Sequence, residues 1–118
     1  MIEIEVERLD GIPVARPRGD IDAANASTVR EQLAACLDVD TDKLVVDLGE
    51  TRYVDSAGID MLFRLGERLR QRRATLLLVI PGDSQLQRLA TIVALPSALP
   101  VCETVAQALG GCVRESGA

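Results

Sequence analysis

Histidine is absent from this chain. Its absence removes the Ser-His-Asp triad, any imidazole base and any imidazole metal ligand. Lysine is nearly absent too: Lys43 stands alone, at the wrong end of its strand to activate the most prominent serine. Neither G-x-x-x-x-G-K-[ST] nor G-x-G-x-x-G occurs, so the usual phosphate-cradling loops are missing. Aromatic residues make up 2% of a chain that is 47% hydrophobic, so the core must be aliphatic. The cysteines Cys36, Cys102 and Cys112 are odd in number and lack zinc spacing. They read as idle thiols of a reducing cytosol, with a Cys102–Cys112 redox pair as the alternative. No apolar run approaches the roughly 18 residues of a membrane-spanning helix. The opening MIEIEVERLDG is acidic and alternating, unlike a secretory signal. A net charge of −5 disfavours a nucleic-acid backbone as partner.

What the sequence does have is concentrated between Lys43 and Leu69. An apolar run (Leu44, Val45, Val46, Asp47, Leu48) reads as a buried strand, followed by a polar turn and the step Tyr53-Val54. Asp55-Ser56-Ala57-Gly58 then opens an amphipathic helix. Asp55 fits the N-cap, with Val54 and Ile59 as a hydrophobic staple. Ser56 falls at the first helical position, near the positive end of the helix dipole, where a phosphate is tolerated. Gly58 lies inside the first turn, where glycine costs about 1 kcal/mol relative to alanine. Its presence predicts a close backbone approach. Ile59, Leu62, Phe63, Gly66 and Leu69 form the apolar face, and arginines crowd the second half of the helix.

Around this centre the chain reads as alternating elements. Ile2, Ile4 and Val6 alternate with glutamates as a strand with one wet face. Asp10-Gly11 signals a hairpin. The return strand is Ile12–Arg16, with Pro13 and Pro17 either limiting its length or lying at non-bonded positions. Gly19-Asp20-Ile21-Asp22 leads to a helix over 23–37 capped by Asp22, with Ala26, Val29, Leu33 and Leu37 on one face. Thr75–Ile80 is a strand covered on both sides. A third helix is capped by Asp83 or Ser84, and carries Leu86, Leu89, Ala90 and Val93 inward. A short strand over Leu99–Cys102 and a last helix over Thr104–Leu109 complete the order. The fold class is α/β. A mostly parallel four- to five-stranded sheet has an antiparallel N-terminal strand and about four helices, in one domain over 1–113 with a tail at 114–118. Both polar turns, Gly19–Asp22 and Asp55–Gly58, belong at the edge where strands end and helices begin.

The chemistry available there is limited. Asp20, Asp22 and Asp55 are carboxylates that a metal ion would accept, but N-capping explains Asp22 and Asp55 more simply. No cofactor is expected, and enzyme readings are weak. An exposed serine beside an aspartate at a helix start remains, serving either as a cap or as a modification site.

These residues resemble a known pattern. V-D-S-A-G-I at Val54 to Ile59 follows a strand ending V-V-D-L, and G-D-I-D at Gly19 to Asp22 lies upstream. Together, over roughly Ile2 to Leu109, they resemble the STAS domain of bacterial anti-sigma factor antagonists. The resemblance implies a non-enzymatic cytoplasmic regulator, a monomer or weak dimer, that binds an anti-sigma factor of the serine-kinase type and frees the sigma factor. It implies phosphorylation at Ser56 as the off signal, a phosphatase as the reset, and a partner surface of Asp20, Asp22, Asp55, Ser56, Gly58 and Ile59. Gly58 would admit the partner's backbone. Ala94-Leu95-Pro96 departs from the glycine-leucine pattern of many relatives. Two other classes compete: a STAS subunit of a lipid-trafficking, transporter or stress-signalling complex, and a nucleotide-binding module or weak hydrolase. The absence of a membrane segment counts against a transporter domain.

Overall fold

The computed structural model describes residues 2–82 and 99–110. Within them the elements are β1 (Glu3–Leu9), β2 (Ile12–Ile21), α1 (Ala26–Ala34), β3 (Lys43–Asp47), β4 (Thr51–Val54), α2 (Ser56–Gln71), β5 (Thr75–Val79), β6 (Val101–Cys102) and α3 (Val105–Leu109). The strands form one six-stranded sheet in the order β1-β2-β3-β5-β6, with β4 also paired to β2. Only β1 runs antiparallel, against β2; the other pairings are parallel. The α/β class and the antiparallel start are as expected. The short strand expected over Leu99–Cys102 is present as β6 (Val101–Cys102), and the strand count is higher by one because β4 (Thr51–Val54) also joins the sheet. The expected helix after Pro81-Gly82, the Ala94-Leu95-Pro96 run, Cys112 and the 114–118 tail lie outside the described residues.

The hairpin is the one that Asp10-Gly11 dictates: both residues have positive φ (53° and 78°), as a type I′ turn demands. β2 does not stop at Arg16 but runs ten residues through both prolines. The Pro17 carbonyl accepts the Thr51 hydroxyl at 2.8 Å. Its backbone polar groups therefore face β4 rather than β1. Pro13, four residues earlier, has the same parity, so neither missing N–H interrupts the ladder with β1.

The sheet alternates its apolar side chains to two cores. Leu44, Val46, Leu76 and Leu78 face α1 and α2, joined by Ile21, Val29, Leu33, Leu62, Leu65 and Leu69. Val14, Val45, Leu77 and Val79 face the other way, under Ala108 of α3. This two-sided burial is why β3 and β5 read as unbroken apolar runs. In α2 the buried set is Gly58, Ile59, Met61, Leu62, Leu65, Gly66 and Leu69, while Phe63 is half-buried.

Two helix ends depart from expectation. α1 begins at Ala26 after Asn25, not after Asp22. The Asp22 carbonyl accepts from Asn25 N and Ala26 N, which closes a separate turn ahead of the helix. α2 ends in a Schellman arrangement: Ala74 N donates to Leu69 O at 2.8 Å and Arg73 N to Arg70 O at 2.9 Å. The residue in the left-handed region is Arg73, with φ 63°. A side chain there is strained, so Arg73→Gly is expected to raise stability by about 0.5–1 kcal/mol. Urea denaturation checks this through a higher midpoint at unchanged slope.

Candidate functional site

β3, the Leu48–Glu50 turn and β4 run along one edge of β2. Val14 pairs with Val45 near the start of β2, and Gly19 with Thr51 near its end. The strand ends Ile21 and Val54 are therefore register partners. The ladder shifts between Gly19 and Asp20, where Gly19 takes φ 113°, a backbone conformation that suits glycine. The turns that leave these strands both lie at the strand-to-helix edge, as the sequence predicts, and the pairing sets them side by side.

Asp55 fastens them together. Its backbone N donates to Ile21 O at 3.1 Å. Its Oδ1 accepts from Gly58 N at 2.9 Å, which is the expected N-cap. Its Oδ2 accepts from Ala23 N at 3.2 Å, reaching across to the other turn. That turn is held by its own side chains. Asp22 Oδ1 accepts from Ala24 N at 3.0 Å, Asn25 Oδ1 accepts from Asp22 N at 2.9 Å, and Asn25 Nδ2 donates to Asp20 O at 2.9 Å. Ser56 is the first residue of α2 and is exposed. The carboxylates of Asp22 and Asp55 serve backbone N–H groups, and Asp20 Oδ1 lies 3.5 Å from Arg52 Nε. No group of three or more potential metal ligands occurs among the described residues.

Removing the Asp55 carboxylate deletes the cap and leaves Ala23 N without its acceptor. Asp55→Ala is therefore expected to cost about 1–2 kcal/mol. Asp55→Asn, which keeps one acceptor oxygen, should recover part of the loss in the same thermal melt.

The sequence pattern of the STAS domain matches residues 3–108. The chain belongs to the STAS domain family. It is 31% identical over 77 residues to BtrV of Bordetella bronchiseptica, a candidate anti-sigma factor antagonist. That match spans 65% of this chain and 66% of BtrV, just under two thirds of its length. The crystal structure of an anti-sigma factor antagonist from Mycobacterium paratuberculosis is similar at a TM-score of 0.82 and 25% identity, over 95% of this chain and 94% of that one. The Bacillus cell fate determinant SpoIIAA in its phosphorylated form shares the fold, with a TM-score of 0.64 and 13% identity over 92% of this chain and 98% of that one.

In this STAS domain, the six residues expected to form a partner surface divide into two sets. Asp20, Asp22, Asp55 and Ser56 lie on the two turns and are at least partly accessible. Gly58 and Ile59 are buried. A Cβ on Gly58 would stand 2.6 Å from Val54 Cγ1, 3.0 Å from Ile21 Cγ2 and 3.2 Å from Ile21 O. The close approach predicted at Gly58 comes from the domain's own strand ends, which corrects the expectation of a partner's backbone there. Ile59 is likewise a core residue, 8% exposed.

Three residues of this STAS site escape a motif reading. Asn25 locks the acidic turn and has its signal in D-A-A-N, an aspartate and an asparagine placed to close one turn. Arg52 and Tyr53 lie on β4, with Tyr53 opposite Asp20 and 54% exposed. A polar-aromatic pair before Val54 reads simply as half a strand, so nothing in the sequence marks it. The described cysteines lie apart from the turns. Cys36 packs at the edge of the α1–α2 core, where burial pushes its thiol pKa up and Sγ donates to Gln32 O at 3.4 Å. Cys102 is buried on the opposite face of the sheet.

Proposed function

We propose that this STAS domain is an anti-sigma factor antagonist that works by partner switching in the cytoplasm. Unphosphorylated, it binds an anti-sigma factor that is also a serine kinase, and the sigma factor is released. Phosphorylation of Ser56 ends that binding, and a phosphatase restores it. The role is binding rather than catalysis. The observation that carries this reading is the placement of Ser56, which is exposed at the first position of α2 and flanked by two turns that Asp55 ties into one surface. The Mycobacterium paratuberculosis protein, described as an anti-sigma factor antagonist, and BtrV, a candidate one, support it.

The physical account is local. A phosphate adds about −1.5 to −2 charges next to Asp55 and beside the Asp20–Asp22 turn. The N-terminus of α2 offsets part of that charge, so the fold persists. A partner packed on the serine meets bulk and negative charge, so this is a surface switch.

The test is intact-mass spectrometry after incubation with candidate anti-sigma kinases from the source organism and ATP. One added phosphate on the native chain, and none on Ser56→Ala, is the expected result. Phosphate on another residue would move the site. Neither phosphate nor binding with any candidate would overturn the reading in favour of a different STAS complex.

A further inference from the structure

A groove runs between α1 and α2, with a volume of about 450 Å³. It lies far from Ser56. Arg68 is twelve residues along α2, about 18 Å away at the helical rise. Leu37 and Leu65 contribute to its apolar lining, and Arg30, Arg68 and Arg72 contribute its cations. In a chain of net charge −5, three arginines around one groove stand against the overall balance. Elsewhere on α2 the arginines are committed: Arg64 pairs with Asp60 at 2.7 Å and Arg70 with Glu67 at 2.6 Å. The guanidinium groups of Arg30 and Arg68 make no ion pair or hydrogen bond among the described residues. Arg72 gives one N–H to the Asp38 carbonyl at 3.2 Å. Glu31 is the one acid in the lining and is bonded to none of the three.

We infer that this groove docks an acidic amphipathic helix from a partner protein. Arg68 in the last turn of α2 and Arg72 at its C-cap are four residues apart, about the spacing of carboxylates at i and i+4 on an incoming helix. Arg30 faces them from α1, where it meets a third carboxylate. The apolar lining takes a leucine-type side chain between the charges. Guanidinium groups suit this role because each presents a planar fork to a carboxylate and lays its stem on apolar surface. An inorganic anion would want donors converging on one point, which cations spread along two helices do not provide. The surface is separate from the Ser56 turns, so phosphorylation there leaves it intact.

The experiment is an NMR titration of the ¹⁵N-labelled full chain with a synthetic helical peptide of about 15 residues, long enough to form a helix. The peptide carries glutamates and leucines at i, i+4 spacing, and its control has lysine for every glutamate. Expected are shifts confined to amides of α1 and the second half of α2. Affinity should fall at least tenfold in Arg30→Glu/Arg68→Glu and weaken with added salt, with the control peptide silent. Thermal melts of the variant confirm its fold, and Ser56→Glu should bind the peptide as the native chain does. The inference is overturned if these amides do not move at millimolar peptide, if the lysine peptide binds equally, or if charge reversal has no effect. It is also overturned if the same amides move on concentrating the chain alone, which would assign the groove to a second copy, or if ATP or anionic vesicles displace the peptide completely.

Discussion

Gly58→Ala is expected to lower the melting temperature by roughly 5–10 °C, and Gly58→Val to prevent stable folding. Helix propensity alone argues the other way, since alanine inside a helix is favoured over glycine by about 1 kcal/mol. Packing decides the sign. The first atom of any side chain at Gly58 would stand 2.6 Å from Val54 Cγ1 and 3.2 Å from the backbone oxygen of Ile21. Val54 and Ile21 are themselves buried, at 3% and 0% exposure, so neither has room to withdraw. The Ile21 carbonyl also receives Asp55 N at 3.1 Å, so moving it loosens the bond that holds the two turns together. Overpacking of this kind costs about 1–3 kcal/mol for a single methyl, and valine adds two more carbons to the same space. Thermal unfolding followed by circular dichroism checks the order native, alanine, valine. A fully stable Gly58→Ala that had lost only partner binding would restore a partner's backbone as the reason for the glycine.

Gly58 also marks how far the sequence could be read. The residue itself was legible as a place of close approach, because glycine in a first helical turn is costly without a reason. The identity of what approaches was not, since it depends on Ile21 and Val54 being register partners across two parallel strands. Such pairings are non-local, and no window of sequence contains both partners. Asp55 as an N-cap was legible for the opposite reason: its acceptor duty is to Gly58 N, three residues away. Its second bond, to Ala23 N, joins residues thirty-two apart and appears only with the fold. Asp22 misled because an aspartate before an alanine-rich stretch reads as a cap. The helix starts three residues later, after Asn25, whose side chain makes no cap bond to it. That side chain turns back to accept from Asp22 N and donate to Asp20 O, so both polar side chains close the preceding turn instead. The two-sided burial of β5 was legible from composition, whereas β4, four residues with two of them exposed, is too short to carry a pattern of its own.

Under the proposed partner switch, Ser56→Glu is expected to reduce affinity for the anti-sigma factor at least 100-fold while leaving the fold as stable as before. The two effects have opposite signs for one physical reason. An acid at the first position of α2 lies against the positive end of the helix dipole, which is favourable by about 0.3–1 kcal/mol. The Asp55 cap on Gly58 N is untouched, and the exposed site has space for a longer side chain. Melting should therefore hold steady or rise slightly. Binding falls because the added carboxylate adjoins Asp55 and joins the Asp20–Asp22 side of the surface, where a partner must come within contact distance. A loss of 100-fold corresponds to about 2.7 kcal/mol, the scale of a buried charge left without its counterpart. Ser56→Ala removes only a hydroxyl and should bind within a fewfold of the native chain while accepting no phosphate. Calorimetric titration of the three forms against the anti-sigma factor, beside their thermal melts, separates the alternatives. If Ser56→Glu bound normally, the serine would lie outside the interface. If it melted many degrees lower, negative charge would be acting through the fold, and the switch would be one of unfolding rather than of surface.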